Sequence, residues 1–264
     1  MHRARKRFGQ NFLQDTGVLN QIVRAVAADD TRPVVEIGPG RGALTEVLLQ
    51  QGLTVTAIEL DRDLLPILRA RLFTHAERLT LVNADALQFD FASLGAPHFP
   101  LQVVGNLPYN ITTPLLFHLL QYHTQIDSMV FMLQKEVVDR LAAQPGGSDY
   151  GRLSVMVQFY CQVEPLFEVP PEAFTPQPKV DSAVVRLTPK ALTDAELALV
   201  TPLRTLVRQA FAQRRKTLRN NLRDWLTDDQ FAELNIDPSR RPQTLSVADY
   251  VRMAQWSVTH EAAS

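Results

Sequence analysis

Pro33-Val34-Val35-Glu36-Ile37-Gly38-Pro39-Gly40-Arg41-Gly42-Ala43 is an apolar run that breaks into glycines. The run reads as a buried strand, and residues 44–51 follow at helical spacing. A glycine-rich turn between strand and helix lets backbone approach a ligand closely. It also aims the first N–H groups of the helix at that ligand. The next strand, residues 53–60, ends at Glu59 and is followed by Asp61. An acid there, about 20 residues beyond the turn, can bind ribose hydroxyls. Strand, turn, helix, strand and acid in this register predict an α/β fold with the ligand at the carboxyl ends of parallel strands.

The turn alone does not choose the ligand. Gly38-x-Gly40-x-x-Ala43 also satisfies the dinucleotide fingerprint, so a nicotinamide or flavin enzyme stays open on this evidence. Two later features count against it. Residues 79–84 read as a third strand ending at Asp85, whose carboxylate can accept from an adenine amine. Residues 101–105 read as a fourth, ending in Asn106-Leu107-Pro108-Tyr109. The amide oxygen of Asn106 and a nearby backbone carbonyl can accept both N–H bonds of an exocyclic amine, which exposes the nitrogen lone pair. Pro108 fixes φ and offers no N–H, so carbonyls can face the site. Tyr109 can stack on a flat base. A dehydrogenase would add a catalytic His or Lys after these strands, and none is evident.

Composition sets outer bounds. The 264 residues suffice for one α/β domain and a smaller second unit. Cys161 is the only cysteine, so no intrachain disulfide forms and a reducing cytoplasm suits the chain. No apolar run is long enough to span a membrane, and no apolar core follows the basic N-terminus. The six histidines lack metal-ligand spacing, so no metal is expected. No extra apolar face calls for an oligomer, so a monomer is expected.

A net charge of −1 argues against a nucleic-acid partner until its distribution is read. From residue 203 to 223 there is no acid, while Arg204, Arg208, Arg214, Arg215, Lys216, Arg219 and Arg223 stand among Leu206, Val207, Phe211, Leu218 and Leu222. Two helices with a buried side and a basic side are the simplest reading. A surface of one sign suits phosphate. Arg3, Arg5, Lys6 and Arg7 form a second basic cluster. Pro189 and Pro202 put a domain boundary near residue 190. The glycine-rich stretch 144–151 reads as a mobile loop.

With these residues in hand, the chain resembles the S-adenosylmethionine-dependent methyltransferases of the Rossmann-like class. More narrowly, it resembles the bacterial small-subunit ribosomal RNA adenine dimethyltransferases. The resemblance rests on Arg7-Phe8-Gly9-Gln10-Asn11-Phe12-Leu13, Glu36-Ile37-Gly38-Pro39-Gly40 and Asn106-Leu107-Pro108-Tyr109. It continues in Phe174-x-Pro176-x-Pro178-Lys179-Val180-Asp181-Ser182 and Phe211-Ala212-Gln213-Arg214-Arg215-Lys216. It implies a class I methyltransferase domain over residues 1–190, its first 13 residues joining the cofactor site, and an all-helical RNA-binding domain over 191–264.

The resemblance also implies roles. Asn11 and Leu13 would touch S-adenosylmethionine, Gly38 and Gly40 would border it, Glu59 would hold its ribose and Asp85 its adenine amine. Asn106 would lie between cofactor and target base, with Leu107, Pro108 and Tyr109 completing the catalytic tetrapeptide. Leu107 stands where many DNA adenine methyltransferases carry proline, and in this family it goes with acceptance of an already monomethylated amine. Tyr109 and Phe174 would stack on the base, although the setting of Phe174 alone reads as a core anchor. The implied reaction is displacement by adenine N6 at the sulfonium methyl, leaving S-adenosylhomocysteine, with neither metal nor covalent nucleophile. Its target would be small-subunit rRNA: two adjacent adenosines in a hairpin loop near the 3′ end, dimethylated during subunit biogenesis. A large-subunit rRNA methyltransferase of the antibiotic-resistance type shares these motifs, and a ribosome-assembly factor is the alternative outside enzymology.

Overall fold

Valine and isoleucine place the strand before the glycine turn at the centre of a sheet. The computed structural model describes residues 11–26, 32–94 and 100–261. Its strands are β1 (Phe12–Leu13), β2 (Val34–Ile37), β3 (Val55–Glu59), β4 (Leu79–Asn83), β5 (Leu101–Asn106), β6 (Ile126–Gln134), β7 (Cys161–Val169), β8 (Phe174–Thr175) and β9 (Ser182–Pro189). Seven of them form one sheet in the order β4-β3-β2-β5-β6-β9-β7. Strands β2 to β6 of that sheet run parallel to their neighbours, and β9 is antiparallel to β6. All four residues of β2 are buried, as a strand covered on both faces requires.

Strand order reverses between β2 and β5. Chain order proceeds from β2 through β3 to β4 on one side and from β5 to β6 on the other. Open α/β sheets bind ligands in the crevice that such a reversal leaves. Here β2 and β5 pair from Val34 and Gln102 to Glu36 and Val104, and the ladder then stops. A Cβ on Gly105 would stand 2.6 Å from the Ile37 carbonyl oxygen. Glycine therefore lets the two backbones come this close where they begin to part.

Helices follow from capping and periodicity. Helix α1 (Thr16–Ala25) starts at Asp15, whose carboxylate accepts the Val18 N–H at 3.0 Å, and buries Val18, Leu19, Ile22 and Val23. Helix α2 (Ala43–Gln50) begins at Gly42, whose φ of +83° is left-handed. A Cβ there would also meet Leu68 at 2.8 Å, a residue of α3 (Leu65–Arg71). Helix α4 (Thr112–Leu119) follows the Asn106–Tyr109 turn, and α5 (Lys135–Ala142) follows β6. The two-residue strands β1 and β8 pair antiparallel, Phe12 opposite Thr175 and Leu13 opposite Phe174. Sequence pattern gives no sign of this pairing, because neither piece is long enough to show periodicity.

The chain forms two compact units. One runs to Val138 and resumes over Gln162–Pro189; the other takes Asp139–Cys161 and everything from Lys190 onward. A boundary near residue 190 alone would leave residues 139–161 in the first domain; the structure puts them in the second unit. Helix α6 (Arg152–Tyr160) carries the reason: the Lys190 N–H donates to the Tyr160 carbonyl at 2.7 Å, and the Gln158 amide donates to the Leu141 carbonyl at 2.8 Å. Such long-range bonds leave no mark in a linear pattern. The second unit continues with α7 (Asp194–Ala198), α8 (Val200–Ala210), α9 (Leu218–Asn221), α10 (Asp228–Glu233) and α11 (Val247–Glu261). Its core joins Leu203, Leu206 and Val207 of α8 to buried Tyr250, Met253 and Ala254 of α11. Residues 203–223 are therefore two helices, as their spacing predicts, with the basic turn between them.

Gly105→Ala is expected to destabilise the protein by about 1–3 kcal/mol, the usual cost of forcing atoms into filled space. Urea unfolding measures it; an unchanged midpoint would mean that β2 and β5 have room to separate.

Candidate active site

The β2–β5 crevice opens into a cavity of about 780 Å³. Asn11, Leu13, Gly38, Gly40, Glu59, Asp85, Asn106, Leu107, Pro108 and Tyr109 all line it. One cavity thus brings together residues spread over nearly 100 positions of sequence. Its size suits a nucleoside-sized ligand with a second group beside it.

The glycine turn forms one wall. Gly38 and Gly40 have φ of +69° and +57°, so backbone faces the cavity where a side chain would strain the turn. The Gly38 N–H donates to the Ile58 carbonyl at 2.9 Å, tying the turn to β3. Glu59 ties it again: its Oε2 accepts the Gly40 N–H at 3.1 Å and its Oε1 accepts the Asp61 N–H at 2.8 Å. With the Leu60 N–H also on this carboxylate, an acceptor site is still left for a hydroxyl donor. Burial raises the Glu59 carboxyl above its ordinary pKa, against the backbone bonds that lower it. Asp85 uses Oδ1 to accept the Leu87 N–H at 2.9 Å, which leaves Oδ2 for an amine in the cavity.

Asn106, the last residue of β5, stands on the opposite wall. Its Nδ2 donates to the Asn11 carbonyl at 2.9 Å. That bond orients the amide and leaves Oδ1 as an acceptor. Leu107 is 1% exposed, and its N–H donates to the Met132 carbonyl at 3.2 Å. The Pro108 carbonyl is taken by the Ile111 N–H and the Thr112 hydroxyl, each at 3.2 Å. Tyr109 is half-buried, and its hydroxyl shares a 3.1 Å hydrogen bond with the Ser182 hydroxyl on β9. The ring is anchored at its tip.

Phe174 is placed differently from the role the resemblance implies. It is 2% exposed, packs in the core through β8 and does not line the cavity. In this conformation its ring is not offered to a base.

Three cavity residues carry no role in the sequence reading. Phe12 lies beneath the Arg41 guanidinium, 4.7 Å from its ring centroid, and a Cβ on Gly40 would meet the same ring at 3.1 Å. Glu36 is 2% exposed within β2, and its Oε2 has no hydrogen-bond partner among the described residues. Burial pushes this carboxyl up to about 8; the Thr45 hydroxyl counteracts the rise and the Glu59 carboxylate adds to it. An acid inside an otherwise apolar strand was the available signal.

In the second unit, Arg204, Arg208, Arg215 and Lys216 are exposed. The side chains of Arg208, Arg215 and Lys216 have no bonded partner among the described residues. Arg219 pairs with Asp228 at 2.9 Å and Arg223 approaches Asp224 at 3.8 Å. Arg214 donates to the carbonyls of Ser148 and Tyr150. Arg3, Arg5, Lys6 and Arg7 lie outside the described residues.

Comparison with known proteins adds to this geometry. The sequence matches the profile of the ribosomal RNA adenine dimethylase family over residues 1–258. It is 56% identical over 261 residues to the ribosomal RNA small subunit methyltransferase A of Hahella chejuensis, covering 98% of this chain and 94% of that protein. The Pseudomonas aeruginosa protein of the same name is 55% identical over 253 residues, with 96% and 94% covered. Among solved structures, a dimethyladenosine transferase from Plasmodium falciparum aligns with a TM-score of 0.79 at 27% identity, covering 92% of this chain and 95% of that one. The 23S rRNA methyltransferase ErmE aligns with a TM-score of 0.71 at 26% identity, covering 93% and 98%.

The Glu36 carboxyl gives this cavity a pH signature. Folded, it keeps its proton to about pH 8; unfolded, it loses it near 4.5. Between those values the folded state binds more protons, so stability falls as pH rises and levels off above about 8. Glu36→Gln is expected to remove most of its share of that slope and to raise the melting temperature at the alkaline end. Thermal melts of the cofactor-free protein check this; a variant that tracks the wild type across the range refutes it.

Proposed function

The chain belongs to the ribosomal RNA adenine dimethylase family, and from that membership we propose that it methylates N6 of adenosines in small-subunit rRNA, using S-adenosylmethionine. Two methyl groups go to each base, on adjacent adenosines of a hairpin loop near the 3′ end. The protein acts as a cytoplasmic monomer on small-subunit rRNA, free or within the assembling subunit. Among the described residues no helix is long and apolar enough to cross a membrane.

One observation carries the mechanism: the Asn106 amide is held by the Asn11 carbonyl and keeps its oxygen for an incoming amine. With the Pro108 carbonyl occupied, the Leu107 carbonyl is the backbone partner for the second N–H of that amine. Two acceptors on one exocyclic amine localise its lone pair on nitrogen. Tyr109 holds the base flat by stacking, with its own tip fixed on Ser182. Taking the base out of its stack costs a few kcal/mol, less in a loop than in a duplex. Positioning and amine polarisation then carry the rate.

The cavity fits the cofactor. Backbone at Gly38 and Gly40 leaves room for a methionine chain, Glu59 accepts from vicinal hydroxyls, and Asp85 accepts from an adenine amine. Glu36 and Glu59 favour a cationic ligand, since a positive charge relieves two buried carboxyls. S-adenosylmethionine, when bound, supplies a methyl group already activated on a sulfonium. No strong base is required of the chain, because the amine proton becomes acidic once nitrogen is alkylated.

The 55–56% identity to small-subunit enzymes, against 26% to the large-subunit enzyme of known structure, favours the small-subunit target. Methyl-transfer assays with unmethylated small subunits, large subunits and DNA in parallel decide it. N6,N6-dimethyladenosine from small subunits alone is the expected product; label in large subunits would move the substrate and keep the mechanism.

Asn106→Ala should lower turnover by about 10²–10³, the usual loss of one preorganised polar contact at a reacting centre, while cofactor affinity holds. Calorimetry beside kinetics separates the two, and equal losses in both would contradict the assignment. At Tyr109, alanine should reduce kcat/KM by about 10–100-fold through lost stacking. Phenylalanine keeps the ring and loses only the Ser182 bond, about 1 kcal/mol of stability. Equal kinetic effects of the two substitutions would argue for a hydroxyl role instead.

A further inference from the structure

The basic turn between α8 and α9 is built as a rigid platform. Asn221 is 6% exposed; its Nδ2 donates to the Gln213 carbonyl at 3.1 Å, and the Gln209 amide donates to the Asn221 carbonyl at 3.1 Å. These bonds fix the backbone from which Arg214, Arg215 and Lys216 project.

The three bases are not equivalent. Arg214 donates through Nη2 to the carbonyls of both Ser148 and Tyr150, the latter at 3.2 Å. The Gly146 N–H donates to the Gln243 carbonyl at 2.7 Å, and the Tyr150 side chain is 0% exposed. Stretch 144–151 reads in sequence as a mobile loop, and within the second unit it is bonded at Gly146, Ser148 and Tyr150. All three bases are exposed, but the side chains of Arg215 and Lys216 have no partner among the described residues.

We propose that Arg214 is a positioning residue that ties the 144–151 loop to the basic turn, leaving the phosphate contacts of this turn to Arg215 and Lys216. The phosphate half of this rests on the RNA reading above; the tether half does not. Both bonds leave the terminal Nη2 of the arginine side chain, and the lysine stem, one atom shorter, does not bring its ammonium to both carbonyls. With both Nη2 hydrogens on carbonyls, Arg214 has only Nη1 and Nε left for phosphate, and its guanidinium is held toward the loop. The loop itself holds no base, and Asp149 lies at its exposed tip, so it repels phosphate and serves as a buttress. Charge alone ranks Arg214 beside Arg215; the hydrogen bonds separate them.

The full-length protein with Arg214→Gln, Arg214→Lys or Arg215→Gln tests this by two readouts. One is limited proteolysis of the free protein across residues 144–151, which reports local opening. The other is the salt dependence of binding to an unmethylated small-subunit rRNA hairpin. Both Arg214 variants are expected to raise cleavage several-fold, and Arg214→Gln to leave the log–log salt slope unchanged. Arg215→Gln is expected to leave cleavage unchanged and lower the slope by about 0.9, one phosphate contact in a duplex. Unchanged cleavage in both Arg214 variants, or a slope that falls in Arg214→Gln as it does in Arg215→Gln, overturns the proposal. A slope left unchanged by Arg215→Gln overturns the phosphate assignment, and cleavage then decides the tether alone.

Discussion

The structure depends on one close approach of backbone to backbone, Gly105 of β5 against the Ile37 carbonyl of β2, with 2.6 Å left for any Cβ. These neighbouring strands stop pairing just before that point, and the sheet reverses its order between them. The carboxyl ends diverge, and the walls of the cavity are the residues that come next in the chain. Gly38 follows Ile37 and Asn106 follows Gly105. The wall of the glycine turn and the wall of Asn106 therefore face each other across one cavity because two strand ends part.

The electrostatics of the cavity follow from where its acids stand. Glu36 lies inside a strand buried on both faces, and Glu59 at the end of the adjacent one. An ionised carboxylate in such a place is costly without a partner, and no cation of the chain pairs with Glu36 among the described residues. Glu59 is compensated by the N–H groups of Gly40 and Asp61, so it also serves the turn. Glu36 has only the Thr45 hydroxyl against its burial, and it keeps its proton to about pH 8. A buried carboxyl arranged in this way lowers the stability of the free protein as pH rises toward about 8.

The second unit treats its charges differently. Its bases stand on short helices and a turn, where acids can reach some of them, and Asp228 and Asp224 do. Arg219 and Arg223 are partly neutralised, whereas Arg208, Arg215 and Lys216 keep their charge outward. A uniformly basic segment thus becomes an uneven surface. The count of bases sets the overall attraction to a polyanion, while their partners decide which ones meet it.

The glycine turn, the acids ending β3 and β4 and the Asn106–Tyr109 tetrapeptide were legible in the sequence because each is local: strand, turn and helix sit within a few residues of one another. Basic residues 203–223 were legible as two helices for the same reason, since apolar spacing shows a buried face directly. What the tertiary structure decided is long-range. It paired Asn11 with Asn106 across 95 positions and set Leu13 opposite Phe174. It gave residues 139–161 to the second unit, buried Phe174 away from the cavity and turned Arg214 toward a distant loop. Local sequence fixes which conformations and which chemical groups are present. Which groups meet depends on the packing of segments far apart in the chain, and a carboxyl such as Glu36 takes its charge state from that packing.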